Sequence, residues 1–62
     1  MKTFFVVLSN GTKGKKFALA VSKSQSKAIG YAYMCKQETY VRKCSNVEVS
    51  KYMESFYVLN LD

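Results

Sequence analysis

Thr3-Phe4-Phe5-Val6-Val7-Leu8-Ser9 is the stretch on which the fold turns. It is β-branched and aromatic, the composition of a strand, and Asn10-Gly11 follows at once. That pair takes up positive φ at little cost and closes hairpins. Gly14 and the lysines Lys13, Lys15 and Lys16 lengthen the turn. From Lys16 to Ser22 the chain alternates, with Phe17, Leu19 and Val21 on one side and Ala18 and Ala20 on the other. Residues 3–22 therefore read as a β-hairpin with a basic tip.

Ser22-Lys23-Ser24-Gln25 has the form of a capping box and announces a helix. At the angular step of a helix, Ala28, Ile29, Tyr31, Ala32 and Cys35 share one apolar arc. Beyond Thr39 the phase fails, because Arg42 would turn inward, so the helix is expected to end near Glu38 or Thr39. Tyr40 and Val41 are poor helix formers and agree with that end. Ser45-Asn46 then supplies a turn. Val47-Glu48-Val49-Ser50 alternates as a half-buried strand does, and Phe56-Tyr57-Val58-Leu59 is an apolar run. The expectation is a second hairpin, Val47 to Tyr52 and Phe56 to Leu61, with a helical turn over Ser50 to Ser55 as the alternative.

The order ββαββ predicts an α+β fold for residues 1–62 as a single domain. It is a small two-layer sandwich, an antiparallel sheet of about four strands with one helix packed on one face. A consequence follows from the first strand. Phe4, Val6 and Leu8 occupy one side and Phe5 and Val7 the other, so both sides are apolar. One helix covers one side. The other, which carries Phe5, Val7, Ala18 and Ala20, is left as an apolar patch of the kind that meets a partner. A homodimer through that open sheet face is one such partnership; loops and Met53 folding over it are the alternative.

Sixty-two residues include ten Lys or Arg, four Asp or Glu, no His, no Pro and two Cys, for a net charge of +6. With no His, general acid–base work would fall to strongly shifted groups, and Glu38, Glu48 and Glu54 fall in separate expected elements. Two cysteines and no His cannot fill a tetrahedral zinc site, so neither metal nor cofactor is expected. Cys35 lies on the buried arc and Cys44 lacks a base, which reads as two reduced thiols in a cytoplasmic protein. Met1 to Leu8 imitates a secretory signal, but its apolar run is short and polar Ser9 to Lys16 follows. Gly11-Thr12-Lys13-Gly14-Lys15 lacks the spacing of a phosphate-binding loop. No enzyme and no membrane span are expected.

The charge is the positive clue. Lys13, Lys15 and Lys16 crowd the first turn, Lys23 and Lys27 fall on the first helical turns, and Arg42-Lys43 follow the helix. Such cations bind polyanions through counterion release. Phe5 and Tyr57 are candidate platforms for unpaired bases. Lys13 to Ala20 keeps only the Lys-Gly and central Phe of the RNP1 pattern, so low sequence specificity is expected. The leading expectation is a non-enzymatic nucleic-acid-binding protein. The competing one is an inhibitor or adaptor, of the accessory kind found in viruses and mobile elements, that binds an acidic protein surface. Its candidate interface is Gly30, Tyr33 and Met34 on the outer helix face, together with Phe5 and Val7 on the sheet.

Overall fold

The computed structural model describes residues 3–10, 16–35 and 38–62, with the backbone alone at Lys16. The elements run β1 (Thr3–Asn10), β2 (Lys16–Ser22), α1 (Gln25–Met34), β3 (Thr39–Ser45), α2 (Asn46–Ser55) and β4 (Leu59–Asn60). They form a four-stranded mixed sheet in the order β3-β1-β2-β4. β1 is antiparallel to both neighbours, whereas β4 lies parallel to β2. The two strands of the first hairpin pair antiparallel as expected, while its turn, residues 11–15, lies outside the described residues. The fold is a small α+β domain, but the single helix, the ββαββ order and the wholly antiparallel sheet are corrected to two helices, ββαβαβ and a mixed sheet.

The correction begins at Ser45. Its hydroxyl accepts a hydrogen bond from the Glu48 backbone N–H at 3.4 Å, and Glu48 stands in the first turn of α2. Ser-x-x-Glu is the capping pattern, and an acid there meets the positive end of the helix dipole. The two-residue step from Val47 to Val49 suggested a strand. The step that governs is helical: Val49 is buried, and Tyr52 and Phe56 pack against the same cluster, while Val47 is exposed. The expected strand from Val47 to Tyr52 is therefore a helix, and the run after it pairs with the sheet only at Leu59–Asn60.

β3 is the strand hidden between the two helices. Thr39-Tyr40-Val41 opens it, and the Arg42-Lys43 pair at its centre breaks the apolar signal. Charge in mid-strand suits an edge position, where it discourages unwanted pairing. α1 ends sooner than the arc implied, at Met34. The Cys35 N–H bonds the Ala32 carbonyl, and the Thr39 hydroxyl donates to that same oxygen. Nor does Ser22 cap α1: Ser24 occupies the cap position by its backbone, without a side-chain bond. The Ser22 hydroxyl instead accepts from the Ser24 N–H and donates to Asp62.

Both helices are crossovers between parallel strands. α1 carries the chain from β2 to β3, and α2 carries it back across the sheet to β4. Crossovers of one hand running in opposite directions place their helices on opposite faces. The packing agrees. Val6, Leu8, Ala18, Val21 and Cys44 form a core with Val49 of α2, and Val7 and Ala20 form another with Ala28 of α1. Val6, Val7 and Leu8 are all fully buried. The sheet face expected to stay open is thus covered within one subunit, and β1 is apolar on both sides because it is the inner strand of a three-layer stack.

β2 departs from strict alternation. Val7 pairs with Ala20 and Leu8 with Ala18, so Leu19 is the extra residue of a bulge. Ala18 joins Val21 on the α2 side, and Leu19 joins Ala20 on the α1 side. The expected grouping of Leu19 with Val21 is reversed for that reason.

Candidate nucleic-acid interface

Strand register sorts the cations. Lys16 pairs with Asn10 at one end of β1, and Phe5 near the other end pairs with both Lys43 and Ser22. The two positions are separated along β1 by about 17 Å, at about 3.4 Å per residue. Lys23 follows Ser22 directly, and Lys27 lies one helical turn further on in α1. Lys23, Lys27 and Lys43 therefore gather at one end, and Lys16 belongs to the other. Lys13 and Lys15 lie outside the described residues. Arg42 and Lys43 do not act as a pair: Arg42 stands opposite Val6 on the α2 side and Lys43 opposite Phe5 on the α1 side. Lys51, exposed on α2, was missed by a reading that made its segment a strand.

One ion pair restrains these charges among the described residues, Lys27 Nζ to Asp62 Oδ1 at 3.9 Å. Asp62 is fastened more closely by hydrogen bonds. Its carboxylate accepts from the Ser22 hydroxyl at 2.6 Å and from the Lys23 backbone N–H at 2.9 Å. The Ser22 bond, then the Lys23 N–H, hold that carboxyl below the usual carboxylate range. Together with the Leu61 N–H bonded to the Val21 carbonyl, this clasp ties the last residues to the start of α1.

The aromatic candidates part company. Phe5 is half-buried in the α1-side core with Tyr31, Val41 and Leu61, which leaves only part of its ring for stacking or for an interface. Val7, buried beside it, is withdrawn as an interface residue. Tyr57 is 94% exposed. Next to it in the chain, Phe56 meets Phe17 edge to face, ring centres 5.7 Å apart.

On α1 the outward residues stand where the helical wheel put them. Gly30 is exposed, Tyr33 is 86% exposed and Met34 84%. A Cβ added at Gly30 would meet nothing within 4 Å, so the fold itself does not require glycine there. Alongside, Ile29, Ala32 and Tyr33 of α1 and Thr39, Tyr40 and Val41 of β3 line an open groove of about 300 Å³. Sequence reasoning missed it because β3 was not read as a strand.

Burial, and then the neighbouring Glu48, push the Cys44 thiol up, which favours its unreactive protonated form. Cys35 and Cys44 are both free. No group of three metal-ligating side chains comes together among the described residues, and none of their helices is long and apolar enough to cross a membrane. Set against known families, curated proteins and solved structures, the chain shows no match.

Proposed function

We propose that this is a non-enzymatic nucleic-acid-binding protein of low sequence specificity, acting in the cytoplasm. The observation that carries the reading is the spread of cations. Lys23 and Lys43 stand at one end of β1 and Lys16 at the other, about 17 Å away, within a chain of net charge +6. A compact anion reaches one end only. A phosphate backbone runs past both and releases counterions at each contact. Tyr57 adds an accessible ring on which an unpaired base can stack. The lack of histidine supports binding rather than catalysis, and two free thiols suit a reducing compartment.

The test is fluorescence anisotropy with labelled single-stranded and duplex oligonucleotides between roughly 50 and 300 mM salt. The expected result is binding that weakens steeply with salt. The Lys13→Gln, Lys15→Gln, Lys16→Gln triple variant should flatten the logarithmic salt slope by about 2 to 3. No binding of either oligonucleotide at the lowest salt refutes the reading.

A further inference from the structure

We propose that the edge formed by α1 and β3 docks an extended acidic segment of another protein, which adds to the sheet as a strand beside β3. This surface goes beyond the nucleic-acid reading, shares only Lys43 with it, and is tested apart from it with Tyr33→Ala and the N-methylated peptide. β3 ends the strand order, so among the described residues one side of its seven-residue backbone has no partner. The groove between α1 and β3 runs next to that side. An unpaired strand edge with pockets beside it is what strand addition needs: main-chain bonds supply affinity and alternate side chains supply selectivity.

The register of β3 dictates the chemistry of the guest. Val41 and Lys43 face the α1 side, and Arg42 faces the α2 side. A strand laid alongside therefore meets three successive demands. Opposite Val41 an apolar side chain enters the groove against Ile29 and Tyr33. Opposite Arg42, and then opposite Lys43, an acid is matched to a cation. The guest reads apolar-acid-acid if it runs parallel to β3 and acid-acid-apolar if antiparallel. Glu38, just ahead of β3, repels an acid at that end and so fixes where the acids belong. A second copy of this chain is the wrong guest. Two-fold pairing centred on β3 sets Arg42 against Arg42, and two bodies of charge +6 repel. Tyr33 and Met34, large apolar side chains left in water, take their place as the rim of this site.

The experiment titrates the full chain into a labelled peptide of β3's length that carries the apolar-acid-acid core, followed by anisotropy. A second peptide has the same sequence with alternate backbone amides N-methylated, which removes main-chain donors and keeps every charge. Saturable binding of the first, weakened about tenfold or more by N-methylation and by Tyr33→Ala or Lys43→Glu, is the expected result. Tyr33 and Lys43 are exposed, and unchanged circular dichroism of both variants confirms that they fold. Equal binding of the N-methylated peptide overturns strand addition. Indifference to both substitutions overturns the location. Self-association abolished by Arg42→Glu assigns the edge to a second copy. An oligonucleotide that displaces the peptide and is itself released by Tyr33→Ala assigns the groove to nucleic acid. Either of these last two results also overturns the proposal, while the salt titration of the lysine variant stands on its own.

Discussion

α1 and α2 are both ten-residue helices lying across one sheet, one on each face, yet they are held by different means. α2 carries its own start signal in the Ser45 hydroxyl and the Glu48 of its first turn. α1 has no side-chain cap and no acid in its first turn, and Gly30 sits within it. Its start is fastened from outside, by Asp62 reaching back to Ser22, Lys23 and Lys27. The outer faces differ in degree. α2 shows water Asn46, Lys51 and Glu54 alongside Val47 and Met53, whereas α1 ends on Tyr33 and Met34, the more exposed apolar pair. Both features of α1 fit the strand partner proposed for the α1–β3 edge.

The largest effect tests the α2 side. Leu8→Ala should lower unfolding free energy by about 2–5 kcal/mol in thermal or urea melts, because Leu8 is wholly enclosed beneath α2. A loss well under about 1 kcal/mol would mean that α2 does not seal that face. Removing the caps sharpens the contrast. Ser45→Ala should cost about 1 kcal/mol, and Ser24→Ala should stay within about 0.5 kcal/mol of wild type. Equal costs would erase the distinction between the helices.

Gly30→Ala should raise stability by about 0.5–1 kcal/mol, since the new methyl enters open space and the unfolded chain loses freedom. The same substitution should weaken peptide docking if the partner approaches α1 closely. The smallest change belongs to the solvent-exposed Asp62. A carboxyl whose folded pKa lies below its ordinary 3.8 stabilises the fold above that value and loses this contribution as pH falls through the lower folded value. Asp62→Asn should therefore be less stable than wild type at neutral pH, and the two melting curves should converge in strong acid.

The pairing of β1 with β2 could be read from sequence because a continuous β-branched and aromatic run precedes Asn10-Gly11, a signal set by local chemistry alone. The core arc of α1 was legible through Ala28, Tyr31 and Ala32. α2 was within reach: Ser45-Asn46-Val47-Glu48 is a capping pattern, masked by the two-residue repeat of Val47 and Val49. β3 was harder, because an edge strand with Arg42 and Lys43 at its centre satisfies no simple alternation. The bulge at Leu19 and the parallel pairing of β4 depend on partners distant in the chain, and no local signal reports them. For the site, exposure of Tyr33 and Met34 followed from the helical wheel, whereas Tyr57 was expected in a strand from Phe56 to Leu61 that forms only at Leu59–Asn60. The packing of Phe5 and Val7 did not, because it depends on which face of the sheet α1 covers.

What most directly decides the matter is the mass of the free protein by light scattering at micromolar concentration. A lone subunit whose two helices close both faces of its sheet should scatter as a single species of 7.1 kDa. A stable species of twice that mass would contradict the account, because a surface held here to be closed, or an edge reserved here for a foreign strand, would be occupied by a second copy.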